Sequence, residues 1–171
     1  MRKLVEQLAS EHELGASALV ALLDGASRDL DTLQLLRNAA VRTTQEQFGR
    51  GICIRGLIEL SSYCHCNCLY CGLRRGNHRA QRYRLTQEEV LACCDEGYRL
   101  GFRTFVLQGG EDGTHTDEWL VELIADMRTT YPDVAITLSL GERTEESYRK
   151  LKEAGANRYL LRHEAANEEL Y

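Results

Sequence analysis

Thr104-Phe105-Val106-Leu107-Gln108, then Gly109-Gly110-Glu111-Asp112-Gly113, then a helical period from Asp117 to Thr130, and past Pro132 the run Val134-Ala135-Ile136-Thr137-Leu138-Ser139-Leu140 decide the fold. The first and last runs are apolar and read as strands. Between them Leu120, Leu123, Ile124 and Met127 recur at helical spacing and face inward. Pro132, the chain's single proline, stands past the end of that helix, where it cannot continue it. Strand, helix and strand in this order form a unit whose two strands run parallel.

The same unit repeats on both sides. Upstream, Ile52 to Leu60 alternates with Ile52, Ile54, Ile58 and Leu60 on one side, which predicts a strand. Thr86-Gln87-Glu88-Glu89 reads as a capping box opening a helix to about Leu100, with Val90, Leu91, Cys94 and Tyr98 on its core face. Downstream come a helix from Thr144 to Ala154, Gly155, a fourth strand from Arg158 to Arg162, and a last helix starting near Asn167. Ahead of all this, residues 1–50 form a helical segment: two short patterns between Leu4 and Gly25, and a longer one from Leu30 to Phe48 carrying Leu33, Leu36, Ala40 and Val41. Gly49 and Gly51 stop it.

The fold class is therefore α/β: N-terminal helices over 1–50, then about four βα units over 51–171, the first half of a TIM-type barrel. A complete barrel needs roughly 200 residues or more. The expectation is a half-barrel from a truncated reading frame or a fragment, with its fourth strand an uncovered edge.

With 171 residues, 43% hydrophobic and 27% charged, the composition is that of a globular domain with a real core. A formal charge of -5 provides no basic field for nucleic acid, and no stretch approaches the roughly 20 apolar residues of a membrane span. Met1-Arg2-Lys3-Leu4-Val5-Glu6 is not a secretory signal, and seven cysteines, crowded and odd in number, fit a reducing compartment. The chain is expected to be cytoplasmic.

Four of the seven cysteines fall within Tyr63-Cys64-His65-Cys66-Asn67-Cys68-Leu69-Tyr70-Cys71-Gly72. Cys64, Cys68 and Cys71 read as Cys-x3-Cys-x2-Cys, a spacing that lets one loop hold three corners of a 4Fe-4S cluster with one iron left open. Cys66, Cys68 and Cys71 are an alternative set, and a four-cysteine zinc knuckle or an inert loop is the structural alternative to any cluster. His65 reads as a loop residue, and Cys53, Cys93 and Cys94 as small apolar residues of a strand and a helix. In a βα barrel the working residues lie after the strands' C-terminal ends, which is where the cysteine loop, Gly109 to Asp112, Ser139 to Glu142, and His163 to Glu164 fall. Arg74, Arg75, His78, Arg79, Arg82 and Arg84 form a basic stretch that reads as mostly solvated, with one or two offsetting a cluster's charge or docking an electron donor.

The cysteine loop after the first strand, Tyr70 before its last cysteine, and the Gly-Gly-Glu turn after the second strand together resemble the radical S-adenosylmethionine (radical SAM) enzymes. More narrowly, residues 68–74, 106–112, 137–142 and 158–164 resemble the HydE-type maturases of FeFe-hydrogenase, close to methylornithine synthase and biotin synthase. The resemblance implies a 4Fe-4S cluster on Cys64, Cys68 and Cys71, with Cys66 outside the ligand set. It implies S-adenosyl-L-methionine on the open iron, cleaved reductively to a 5'-deoxyadenosyl radical, and contacts to that cofactor from Tyr70, Gly109, Gly110, Glu111, Thr137, Ser139, Arg162 and Glu164. The implied role is assembly of the hydrogenase diiron site from a small iron-containing, cysteine-derived precursor. Implied partners are ferredoxin or flavodoxin as electron donor and the other hydrogenase maturases. The alternatives are a methylornithine synthase-like or biotin synthase-like enzyme, and an inactive fragment or zinc-binding module.

Overall fold

A computed structural model describes residues 1–163. The helix expected near Asn167 and the cofactor contact expected from Glu164 lie outside the described residues. The chain folds as two compact units, one from Met1 to Cys53 and the other from Ile54 onward.

In the first unit, α1 (Arg2–Glu11), α2 (Ala16–Arg28) and α3 (Leu30–Phe48) pack around Val5, Leu22 and Ala39, with Leu4, Leu8, Leu35 and Leu36 against them. Asp29 caps α3 by accepting the backbone N–H groups of Asp31 and Thr32. The face that α3 buries corrects the expected one. Thr32 and Ala39 are buried, while Ala40 and Val41 are exposed. Leu33 to Val41 is apolar enough to support either stripe, and packing against α1 and α2 selects the one through Thr32, Leu36 and Ala39.

The second unit alternates strand and helix: β1 (Gly56–Ser61), α4 (Gln87–Arg99), β2 (Thr104–Gly109), α5 (Asp117–Thr130), β3 (Ala135–Ser139), α6 (Glu145–Ala154) and β4 (Arg158–Tyr159). All neighbouring pairs are parallel and the order is β1-β2-β3-β4. An order that never reverses is that of a barrel wall, whereas a doubly wound sheet switches direction at its centre. Each helix starts on a threonine cap, and Thr86 and Glu89 complete the expected capping box.

One face of the sheet makes the core. Ile58 and Leu60, Phe105 and Leu107, and Ile136, Leu138 and Leu140 pack on Val90 and Cys94 of α4, on the expected stripe of α5, and on Leu151 of α6. The Phe105 ring fills the space between Gly56 and Gly97, where an added Cβ would come within 2.8 and 2.7 Å of it. Glycine is normally a cost in mid-helix; here it makes room for the largest fully buried side chain of the core.

Two strand boundaries differ from expectation. β1 begins at Gly56, and Ile52 and Ile54 are 89% and 64% exposed. Gly56 already pairs with Phe105, and β2 starts one residue earlier, so Ile52 to Ile54 have no strand to lie against. Cys53 is thus exposed outside any strand, and Cys93 is exposed on α4, while Cys94 is the buried apolar thiol expected. β4 is reduced to Arg158–Tyr159, paired with Thr137 and Leu138; Leu160 adds one bond, its N–H to Leu138 O at 2.8 Å, before the chain turns toward the cavity described below.

At the N-terminal end of the sheet, the Arg128 guanidinium donates to Val134 O at 2.8 Å and to Gly155 O at 2.8 Å, and to Asn157 Oδ1 at 2.7 Å. One side chain thus ties together the two loops that feed β3 and β4. The opposite end is left free to be shaped by the loops after the strands.

Candidate functional site

The inner face of the sheet carries the alternate residues of each strand, and at the C-terminal end these are polar. Glu59 pairs in register with Gln108, and Gln108 with Ser139, so one polar row crosses three strands. Gln108 Nε2 donates to Glu59 Oε1 at 3.1 Å, and Arg162 Nη2 donates to Gln108 Oε1 at 2.7 Å. This row is the floor of a cavity of about 220 Å³. A water occupies about 30 Å³, so the space is large enough to receive a ligand group.

The cysteine loop forms one wall. Cys64, Cys66, Cys68 and Cys71 all line the cavity, as does Tyr70, and each is a free, half-buried thiol. Tyr70 itself is 60% exposed and belongs to the cavity rim, not to the core. The facing wall is the turn Gly109-Gly110-Glu111. A Cβ at Gly110 would lie 2.5 Å from Cys64 Cβ, 2.8 Å from Tyr63 O and 3.0 Å from Cys64 Sγ, so the two walls touch where only a glycine fits.

Gly141 closes the third side. Its φ of 76° lies in the left-handed region, and a Cβ there would fall 2.1 Å from Glu111 Cγ. The Glu111 side chain therefore lies across Gly141, with Oε1 accepting from Glu142 N at 3.2 Å. Tyr159 fixes this turn from the far side by donating its hydroxyl to Gly141 O at 2.7 Å. The Glu111 carbonyl is taken twice, by the His65 backbone N–H at 3.1 Å and by His65 Nδ1 at 2.9 Å. A carbonyl has two lone pairs. Of the turn's other carbonyls, Gly110 O accepts once, from Asp112 N at 2.9 Å, and keeps one lone pair.

Burial pushes the Cys66 thiol up to about 12, aided by Cys64, Glu111 and Cys68 around it. Cys66 is therefore held as a neutral thiol wherever no cation compensates it.

The basic stretch is mostly exposed, as expected, with Arg75, His78, Arg79 and Arg84 all exposed, yet two of its arginines, Arg82 and Arg84, are structural. Arg82 donates to the carbonyls of Ser62, Leu73 (2.8 Å), Arg74 (2.9 Å) and Asn77 (3.2 Å), closing the loop into a ring. Arg84 grips Asp112 through Nε at 2.7 Å and Nη2 at 3.0 Å, and its guanidinium lies 3.7 Å from the centre of the Tyr63 ring. Asp112 also accepts from Ser61 Oγ at 2.6 Å and Thr114 N at 3.1 Å. Burial by itself would raise Asp112, but the bonds from Arg84, Ser61 and Thr114 outweigh it and hold the carboxyl well below the usual carboxylate range.

A lowered carboxyl stabilises the fold fully above its unfolded value near about 3.9, and that stabilisation is lost as pH falls through the folded value. Asp112→Asn is expected to cost about 2 kcal/mol at pH 7 by stranding Arg84 and Ser61. The gap to the parent chain should shrink as pH is lowered toward 2. Urea unfolding at both pH values measures it, and an equal gap at the two would count against this account.

Of the expected site residues, Cys64, Cys68, Cys71, Tyr70, Gly109, Gly110, Glu111, Ser139 and Arg162 line one cavity. Thr137 does not. It is buried farther down β3, opposite Val106 and Arg158. Arg162 reaches the site from beyond β4 and not from within a strand. Sequence reasoning missed Glu59, Gln108 and Gly141. The first two were legible as the inward alternates between the apolar positions of β1 and β2; Gly141 carries no local signal except its place after a strand.

Comparison with known proteins gives the same picture. The family model for the radical SAM superfamily matches residues 58–171. The [FeFe] hydrogenase maturase subunit HydE of Thermotoga maritima is 46% identical over 123 residues, 72% of this chain and 35% of that protein. The 3-methylornithine synthase of Methanosarcina acetivorans is 29% identical over 168 residues, 97% of this chain and 47% of that protein. The crystal structure of a methylornithine synthase superposes with a TM-score of 0.85 at 28% identity, covering 98% of this chain and 49% of the other. The chain thus spans between about a third and a half of the relatives it matches.

Proposed function

Because the chain belongs to the radical SAM superfamily, whose enzymes bind a 4Fe-4S cluster and S-adenosyl-L-methionine, we propose that its cavity is the seat of both cofactors and that it serves a HydE-like step in assembling the FeFe-hydrogenase diiron site. The observation that carries this reading is the donor set: three free thiols, Cys64, Cys68 and Cys71, on a closed loop facing a glycine turn across one cavity. When bound, the cluster and its partner cofactor supply reductive cleavage and hydrogen-atom abstraction, chemistry that no side chain here can perform.

The chain's own residues do the positioning. Gly110 lets Cys64 stand against the turn, and Gly109 and Gly110 offer carbonyls to the cofactor's ammonium. The row Glu59, Gln108, Ser139 presents acceptors and donors from a rigid sheet, and Arg162, drawn in by Gln108, places a cation at the same mouth. Tyr70 lines the same cavity. Glu164 remains a proposed cofactor contact, while Thr137 lies two residues before Ser139 on β3, outside the cavity lining.

The HydE-like role is favoured by the 46% identity. Its proposed substrate is a small iron-containing, cysteine-derived precursor, with a ferredoxin- or flavodoxin-type donor and the other maturases as partners. A methylornithine synthase-like action on an amino acid is the second reading, favoured by a likeness covering 97% of the chain.

Anaerobic reconstitution tests the cofactor assignment. The reduced protein should show a 4Fe-4S electron paramagnetic resonance signal that changes on adding S-adenosyl-L-methionine. Bound zinc with no such signal would sink it. Restoration of hydrogenase activity in a maturation mixture lacking HydE separates the two readings.

A further inference from the structure

We propose that His65, Cys66 and Glu111 form a distinct site for one divalent transition ion of the Zn²⁺ or Fe²⁺ type, at the cavity rim beside the three cluster thiols. These residues each offer one donor atom, and the three atoms lie within 4.8 Å of one another. Tetrahedral zinc, with bonds of about 2.0–2.3 Å, sets its ligands roughly 3.3–3.8 Å apart, so the set has to close by no more than about 1.5 Å to hold the ion.

Orientation strengthens the case. His65 Nδ1 lies 2.9 Å from the Glu111 carbonyl, which can only accept, so Nδ1 is the donor there and Nε2 is the nitrogen turned toward the Glu111 carboxylate. Nε2 in turn lies 3.3 Å from Glu111 Oε2. A proton on Nε2 bridges this pair when the imidazole is charged, and a metal cation can take the same place on the neutral ring. A histidine whose other nitrogen is anchored to a carbonyl is also the usual preparation of a metal ligand.

All three donors are held from behind by separate bonds. The His65 backbone N–H is tied to Glu111 O at 3.1 Å, and Cys66 O accepts Arg75 N at 2.8 Å. Glu111 Oε1 is occupied by Glu142 N, which leaves Oε2 for the ion. One nitrogen, one sulfur and one carboxylate oxygen select a borderline transition ion over Mg²⁺ or Ca²⁺. Binding releases the Cys66 thiol proton, and three protein ligands leave a fourth position open toward the cavity. The site gives a task to the one loop thiol that the cluster assignment leaves over.

This site goes beyond the proposed function and is read by a different element. The chain with its cluster reconstituted is equilibrated anaerobically with zinc chloride and gel-filtered, and its iron and zinc contents and zinc K-edge absorption are measured. About one zinc per chain is expected, with one sulfur near ~2.3 Å and nitrogen or oxygen near ~2.0 Å. His65→Ala and Cys66→Ala should each weaken zinc binding at least tenfold while iron content holds. Failure to retain zinc, equal retention in Cys66→Ala, or a shell of several sulfurs would overturn the proposal. Should no cluster assemble, the triple variant Cys64→Ser, Cys68→Ser, Cys71→Ser is titrated instead. Zinc bound through a single sulfur there supports the site, and no zinc overturns it.

Discussion

Alanine at Cys64, Cys68 or Cys71 is expected to drop the iron retained after anaerobic reconstitution from about four per chain to below one, whereas Cys66→Ala keeps it. A cluster held by three thiolates on one loop has no spare ligand, so losing one exposes two irons to solvent and exchange. The contrast with Cys66 is the sharper half of the prediction, because that thiol lines the same cavity and forms an alternative triad with Cys68 and Cys71. Iron and sulfide analysis, with the visible charge-transfer absorption, measures both. If Cys66→Ala loses its iron and Cys64→Ala does not, the ligand set is Cys66, Cys68 and Cys71.

Gly110→Ala is expected to destabilise the second unit by about 2–3 kcal/mol and to lower cluster incorporation several-fold, although one methyl group is all that is added. The obstacle is not a flexible side-chain tip. A Cβ would meet Cys64 Cβ at 2.5 Å and Tyr63 O at 2.8 Å, so relief requires moving the cysteine loop's own backbone. The neighbouring Gly109→Ala is the control. Its Cβ would find nothing closer than Leu140 Cδ2 at 3.5 Å, and a change below about 1 kcal/mol is expected. Thermal unfolding of both variants decides it; equal stability changes would show that the close approach at Gly110 is not responsible, since loss of glycine's backbone entropy would by itself stabilise both variants.

The contrast between these two glycines shows which features the chain declares locally. The four strand-helix units were legible because each solves a local problem in a recognisable way: apolar alternation, the Thr86 capping box, the stripe Leu120, Leu123, Ile124, Met127. What failed was set by partners distant in sequence. Ile52 and Ile54 have the pattern of a strand, but β2 begins too late to pair with them. The face of α3 is chosen by α1 and α2 among several apolar stripes. In the site, the cysteine spacing and the Gly-Gly-Glu turn were visible, while the floor was not. Glu59 and Gln108 become functional candidates only through a register that places one opposite the other, with Arg162 arriving from 54 positions away. The basic stretch is mostly exposed, as a run of basic residues usually is, but the structural roles of Arg82 and Arg84 within it were not legible, because their acceptors are carbonyls and a buried aspartate that no spacing announces.

The guanidinium of Arg82 has a consequence for how the protein acquires its cofactor. By gathering the carbonyls of Ser62, Leu73, Arg74 and Asn77, it ties the two ends of the cysteine-bearing segment together through one side chain. Ordering a backbone costs about 1–2 kcal/mol per residue, and here part of that cost falls on the folding of the chain and not on loading. Many small metal modules fold only as they bind. In this chain the Arg82 tie takes over part of that ordering, so less of it is left for the cluster to impose.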